Sequence, residues 1–431
     1  MEQLFEAEPS GTGCENVISV WRRPTAWLTE KRLSREFWVF FTVAFFFDFG
    51  FSIYYFLFNL YLLDFHFNER TIGLVGGALT FGSVIGTLPA GWLARMTGLR
   101  PLMMFCMIAA PILGAVRTLA MWEWAQIGLA FLAGLAMCIW GVCFLPMLAR
   151  LTTEQNRASA FSLIFSVGIG SSALGSMVCG YLPQWLSMAG YTMQAADVKR
   201  LILIVASAIA AMGLIPLMRL RLPLPENEPQ TQEKTGKQPW KMNPFLLRFL
   251  PSMALWTAAL ASFTPFATVY LSKDLHISLS RLGVIFSASL VIQLIAGLLT
   301  PLVFRRLGLV NGIVATQVAT AATIACLAGT HGRRLAVALY LGFSAAQWMS
   351  SPGLYNLLMS KVPDEERSSA AAMTMFCNAL LQSCATAGAG ILLARFGYPH
   401  VLVGIAALAL IAALLFGTFV SPSGRRAPAQ P

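Results

Sequence analysis

Acidic side chains are missing where this chain is most apolar. Of its nineteen Asp and Glu residues, Asp48 alone falls inside a long apolar run, and the others occupy tails and connections. That is the expected pattern when a charge at bilayer depth costs roughly 3 kcal/mol or more. Polar surface is short throughout. With 57% hydrophobic residues, 11% charged residues and a mean hydropathy of +0.68 over 431 residues, the chain has too little of it to cover a water-soluble body. A soluble protein is thereby excluded, and the long apolar runs are membrane spans. Histidine is scarce too: His66, His276, His331 and His400 all fall outside or at the edge of the runs. With no HExxH, GxSxG or paired acids beside them, the common hydrolytic centres have no candidates. GxxxxGK[ST] is absent, so no nucleotide site is expected. No CxxC pair occurs, and seven of the eight cysteines, all but Cys14, lie in apolar runs; packing residues are expected there, not disulfides, and no metal or cofactor is expected. The N-terminus lacks an early basic and apolar block, so no cleaved signal peptide is expected and the first span serves as the insertion signal.

A span needs about 20 apolar residues. Twelve stretches qualify, near 37–62, 72–94, 101–121, 125–149, 160–185, 200–220, 244–271, 280–304, 309–329, 335–359, 369–394 and 399–420. With the N-terminus cytoplasmic, one side of the membrane receives twenty-one of the thirty Lys and Arg residues. This bias puts both termini in the cytoplasm, and a bacterial cytoplasmic (inner) membrane is the expected location. The formal charge of +11 is spread over many short turns, which argues against nucleic acid and for anionic lipid headgroups as partners. The expected organisation is a cytoplasmic tail at 1–36 with a possible interfacial helix carrying Trp21 and Trp27, a six-helix half at 37–222, a polar cytoplasmic linker at 223–243, a second six-helix half at 244–420 and a cytoplasmic tail at 421–431.

The chain also repeats itself. A shift of 210 positions superposes Asp64 on Asp274, His66 on His276, Gly73 on Gly283, Ala78 on Ala288, Ile85 on Ile295, Leu88 on Leu298, Arg95 on Arg305, Gly98 on Gly308 and Leu99 on Leu309. The matches are weighted toward charged residues and glycine, which general greasiness does not explain. Two copies with equivalent basic turns on one side must each hold an even number of spans. The fold class is therefore an all-α polytopic membrane protein whose twelve transmembrane helices form two six-helix halves in parallel pseudo-repeat.

Twelve spans, a central linker, parallel halves and a G-x-x-x-[charged]-x-x-G-x-[basic] turn, here Gly91, Arg95, Gly98 and Arg100, resemble the major facilitator superfamily of secondary transporters. The second copy of the turn keeps Arg305, Arg306 and Gly308. The resemblance implies a secondary active transporter that moves a small organic solute by alternating access, functional as a monomer and driven by a proton or another ion. It also implies that these turns form a cytoplasmic gate. Arg95 stands where the family usually has an aspartate, and Met96 where a basic residue is usual, so the carboxylate latch against a helix N-terminus is not available to this turn. The stretch GIGSSALGSMVCG, Gly168–Gly180, has the glycines of the family's antiporter signature without its proline. A membrane-embedded enzyme or a non-transporting receptor on a similar bundle remains the alternative; an enzyme is not expected, for want of clustered catalytic groups.

Candidate site residues follow from depth and polarity. Asp48 lies about halfway along the first span, where it can bind and release a proton, pair with a cationic solute, or hold a neighbouring helix by a hydrogen bond. Arg117, near the end of the third span beside Trp122 and Trp124, either snorkels to the interface or recognises an anion in the cavity. Asn59, Gln293, Gln347, Asn378 and Gln382 are polar cavity candidates, the last two one turn apart. Trp140, Trp256 and Trp348 lie inside spans, as an aromatic wall or as packing. Gly73 with Gly77, Gly82 with Gly86, and Ser172, Ser176 and Gly180 form small-residue stripes, static or moving. Pro111, Pro146, Pro265 and Pro352 free backbone carbonyls that another helix or a solute can satisfy. The aromatic load of the first span, from Phe45 to Phe58, favours amphiphilic or aromatic solutes over sugars.

Overall fold

In a computed structural model of the chain, residues 33–190, 194–221, 244–330, 332–363 and 367–419 are described. The stretch around Trp21 and Trp27, the linker at 223–243, the tail at 421–431 and Cys14 lie outside them. The described residues are almost wholly helical. We label the helices α1 (Arg35–Asp64), α2 (Glu69–Thr97), α3 (Leu99–Leu119), α4 (Glu123–Arg150), α5 (Glu154–Met188) and α6 (Ala195–Met212, continuing as Leu214–Arg219) in the first half. The second half has α7 (Pro244–Phe263, then Ala267–Lys273 after a 3-10 turn), α8 (Leu279–Leu307), α9 (Leu309–Ala328) and α10 (Arg333–Lys361). A last helical stretch, Arg367–Phe419, is folded at Gly397 (φ 73°, ψ 171°) into α11 and α12. These follow the twelve expected spans.

Local chemistry sets the starts. Ser34 accepts a hydrogen bond from the Phe37 amide at 3.1 Å, Asn68 accepts one from the Thr71 amide at 3.0 Å, and Thr153 with Asn156 forms a capping box. Each satisfies amides that a helix N-terminus leaves open. Ten segments are long and apolar enough to cross a membrane, one of them the folded pair α11 and α12. The helix that falls short is α10, and the reason is its lining role: Gln347 and Ser351 face a cavity and not lipid. Elsewhere large apolar side chains such as Phe105, Ile112, Leu410 and Leu414 stand outward, the surface a bilayer requires.

The repeat is visible in the backbone itself. His66 and His276, paired by the shift of 210, are the two non-glycine residues with positive φ among the described residues, at 61° and 52°. Gly98 and Gly308 adopt nearly the same conformation, φ 87° and ψ 163° against φ 81° and ψ 159°. A buried tyrosine hydroxyl of each half's first helix also donates to a carbonyl near the end of that half's third helix, Tyr61 to Thr118 at 2.6 Å and Tyr270 to Leu327 at 3.4 Å. Two copies of one six-helix plan therefore face the same way.

Cysteine departs in part from expectation. Cys106, Cys138, Cys143 and Cys179 are buried and free, whereas Cys326 and Cys384 are exposed, since a helix surface in a bilayer tolerates a weakly polar thiol.

The two turns give a test. At φ near 87° and ψ near 163° only glycine is comfortable, and a Cβ there costs about 1–3 kcal/mol. A Cβ at Gly91, by contrast, would meet nothing within 4 Å. Gly98→Ala should lower the thermal unfolding temperature of the detergent-solubilised protein by several degrees, and Gly91→Ala should leave it unchanged or slightly higher.

Candidate functional site

A cavity of about 470 Å³ lies between the halves, and an adjoining one of about 390 Å³, lined by the second half, shares Thr264, Pro265 and Gln382 with it. Their size is that of a small-molecule site. From the first half α1 contributes Ser52, Tyr55, Phe56, Phe58 and Asn59, α2 contributes Gly76 and Thr80, α3 contributes Arg117, and α5 contributes Ser172 and Ser176. From the second half come Thr268 and Trp256 on α7, Phe286 on α8, Gln347, Trp348, Ser351 and Tyr355 on α10, and Asn378 and Thr386 on α11. The wall is mixed: hydroxyls and amides alternate with aromatic faces, and one guanidinium is the only charged group among the lining residues.

The break in α7 shows why those polar groups are there. Pro265 has no N–H, so the Ala261 carbonyl four residues back loses its helical partner. The Thr386 hydroxyl of α11 donates to that carbonyl at 3.1 Å, and the Asn59 amide of α1 donates to the Pro265 carbonyl at 2.9 Å. Backbone irregularity at bilayer depth needs such partners. Asn59 thereby links the halves and lines the cavity at once.

Relative to the turns at Gly98 and Gly308, which mark the linker face, the cavity is roofed on the opposite face. There α2 crosses α11 and α5 crosses α8 at backbone contact. A Cβ on Gly73 would lie 2.7 Å from the Gly390 Cα, one on Gly77 would lie 2.9 Å from the Ser383 carbonyl oxygen, and one on Gly180 would lie 3.1 Å from the Gly283 Cα. Ser383 donates to the Gly77 carbonyl at 2.7 Å, Ser287 to the Ala173 carbonyl, and Gln184 to the Ser280 hydroxyl at 2.7 Å. Outermost, Lys273 pairs with the buried Glu69 carboxylate at 2.6 Å. Desolvation at this crowded mouth raises the Asp274 carboxyl above the ordinary aspartate value, outweighing the pull of Lys273. Gly82 and Gly86 serve a different purpose: they seat α2 on α4 at Phe131, Leu135 and Cys138, inside the first half. Among the described residues, α4 and α10 have no extended packing against the other half.

The sequence candidates separate accordingly. Asn59, Arg117, Trp256, Gln347, Trp348, Asn378 and Gln382 all border the two cavities. Arg117 does not snorkel: it is 3% exposed, and its guanidinium lies 4.3 Å from the centre of the Phe58 ring. Its Nε has no hydrogen-bond partner, and no carboxylate pairs with it among the described residues. A buried ion costs several kcal/mol, of which a cation–π contact returns about 1–2. The end of α3 is held by Gln126, whose amide donates to the Ala120 carbonyl at 2.7 Å and to that of Arg117. Asp48 is half-buried on the stripe of α1 that continues through Ser52, Tyr55 and Asn59, with Oδ2 3.5 Å from where a Cβ on Gly168 of α5 would stand. It makes no hydrogen bond among the described residues. Trp140 packs on Phe47 at 4.3 Å and on Phe40 and Phe144, away from both cavities, and Gln293 borders neither. Gly91, Arg95, Gly98, Arg100, Arg305, Arg306 and Gly308 cluster at the linker-face turns, far from the roof. Arg100 there donates to the Met218 carbonyl at the end of α6, and Arg95, Arg305 and Arg306 are exposed. The Glu69–Lys273 pair and Thr386 are members of the assembly that sequence reasoning did not single out.

The sequence pattern of the Major Facilitator Superfamily matches residues 40–386. No curated protein sequence matches the chain. Among solved structures, a mutant of the nucleoside transporter NupG superposes with a TM-score of 0.72 at 15% identity over 89% of this chain and 100% of its own. A bacterial homologue of the human lysosomal transporter Spinster, inward-facing and occupied, gives 0.71 at 12% identity over 89% and 95%. The inward-open xylose transporter XylE from E. coli gives 0.68 at 13% over 90% and 97%. At these identities the likeness is one of fold.

The roof yields a direct test. A side chain on Gly390 would meet the Glu69 carbonyl oxygen at 2.5 Å and the Gly73 Cα at 2.7 Å. In a background freed of native cysteines, a cysteine at Thr264 should react slowly with an impermeant maleimide applied to the opposite face, and Gly390→Val should speed that reaction several-fold. An unchanged rate contradicts the roof.

Proposed function

The chain belongs to the Major Facilitator Superfamily, and from that premise we propose that it is a secondary active transporter moving a small organic, amphiphilic solute across the membrane by alternating access, with a proton carried on Asp48. The observation that carries the reading is the larger cavity, enclosed by both halves and roofed at one face by glycine contacts. Small-residue contacts hold by packing and a few hydrogen bonds, so they can part and re-form without stranding a large buried surface. Two six-helix bodies that meet mainly through α2 with α11 and α5 with α8 can tilt about the cavity, closing the linker face as the roof opens.

Sidedness rests on the basic residues. Their excess on the linker face makes that face cytoplasmic, so the arrangement described is the inward-facing one, in a bacterial inner membrane, with the tails and linker cytoplasmic. The exposed Arg95, Arg305 and Arg306 then lie at lipid phosphate depth. The chain acts as a monomer, since each bundle of twelve helices encloses its own cavity.

Asp48 supports coupling by position. It sits below the cavity on the same stripe of α1, facing a glycine of α5, where water reaches it only while the linker face is open. A carboxylate moved between water and a dry environment takes up or gives off a proton. With pyranine sealed inside proteoliposomes, adding aromatic or amphiphilic solutes one at a time should identify a solute whose entry acidifies the lumen. Asp48→Asn should abolish that proton entry while solute counterflow persists. Equal acidification by the variant removes Asp48 from the coupling.

A further inference from the structure

We propose that the transported solute carries an anionic group, of carboxylate or phosphate chemistry, which docks on Arg117. The inference rests on the transporter reading above and adds the charge of its substrate.

Arg117 cannot shed its charge, because a guanidinium stays protonated in any protein environment. It is nevertheless 3% exposed, faces the larger cavity, and has an Nε without a hydrogen-bond partner. The aromatic face of Phe58 beneath it offsets part of the desolvation and leaves the donor edge free. The backbone that bears it is fixed by Gln126, so the side chain is presented and not adrift. A planar guanidinium with free donors at the wall of a cavity is suited to two-point contact with a carboxylate or phosphate. Around it the cavity supplies hydroxyls from Ser172, Ser176 and Thr80 and the ring of Phe286, but no competing carboxylate among the described lining residues. Asp48 is not that counter-ion. It lies ten residues from Phe58 along α1, about 15 Å at 1.5 Å per residue.

The separation has a consequence for energetics. A carboxylate on Arg117 moving with one proton on Asp48 carries no net charge across the membrane, whereas a phosphate monoester dianion moving with one proton carries one negative charge. For the carboxylate the membrane potential neither drives nor opposes the step and the proton gradient is the driving force, whereas inward movement of the dianion is opposed by an inside-negative potential.

The test is binding by the detergent-purified full chain, measured by calorimetry with four probes of one shape: 3-phenylpropionate, 2-phenylethyl phosphate, 3-phenylpropionamide and 3-phenylpropylamine. The proposal expects one of the two anions to bind at least tenfold more tightly than the amide, and the amine no more tightly than the amide; whichever anion leads identifies the group. Arg117→Gln should erase the anion's advantage and leave amide affinity within threefold, while Arg117→Lys keeps part of the advantage. An amide or amine that matches both anions in the unmodified protein overturns the proposal, as does an anion preference that survives Arg117→Gln, or no binding by either anion. The four-probe comparison on the unmodified protein stands even where Arg117→Gln does not fold. Because binding is read without flux, an anion that binds but never crosses a vesicle membrane defeats the transporter reading and leaves the docking site in place, whereas flux of neutral solutes alone does the reverse.

Discussion

Backbone-to-backbone contact between the halves is the constraint from which the rest of the structure follows. Where α2 meets α11 and α5 meets α8, glycines let the chains come so close that no Cβ fits between them. In lipid there is no hydrophobic force to press helices together, so closeness itself, with the hydrogen bonds it permits, provides the attraction. The contacts lie toward one face. The remaining depth of the bundle is left unfilled, and what is left unfilled is the cavity. A roof of bulky interlocking side chains would hold more firmly and would part with greater difficulty.

Some of the polar groups inside the bundle answer to backbone geometry. Pro265 interrupts α7, and Asn59 and Thr386 satisfy the carbonyls affected, so the same residues that repair the helix also give the cavity its polarity. Two charges escape this explanation. Arg117 and Asp48 are neither paired nor engaged in repair among the described residues. Of the two ion pairs among the described residues, Lys199 with Asp64 joins α6 to the end of α1 inside the first half, and Glu69 with Lys273 belongs to the roof, where it links the start of α2 to the end of α7.

The twelve spans were legible in the sequence because bilayer thickness imposes a length and because charges mark the ends. The pseudo-repeat was legible because the residues that cannot be exchanged for other greasy ones, Gly98 with Gly308 and His66 with His276, hold backbone conformations rather than merely filling space. Several site residues were found by the same logic of polarity at depth, Asn59, Gln347, Asn378 and Gln382 among them. The depth of Arg117 was not legible. Its neighbours Trp122 and Trp124 read as an interface, and only the aromatic packing of α1 against α3 shows that its side chain turns inward over Phe58. Trp140 misled for the opposite reason, since periodicity cannot tell a tryptophan on the cavity from one packed on Phe47. Glu69 and Lys273 each read as an ordinary helix end, and their pairing appears only when two segments 204 residues apart are brought together. Which glycine stripe crosses between the halves is likewise a tertiary fact: Gly73 and Gly77 do, Gly82 and Gly86 do not.

The central claim is that one cavity is opened to the two faces in turn by tilting of two bodies. Spin labels placed at Arg70 and Arg281 straddle the roof, and labels at Met96 and Leu307 straddle the linker face. Double electron–electron resonance on each pair in liposomes, across a pH series, tests the claim most directly. The account predicts two distances for each pair, with populations that move in opposite senses as pH changes, the roof pair lengthening when the linker-face pair shortens. A single fixed distance across the roof at every pH, or both pairs lengthening together, contradicts it.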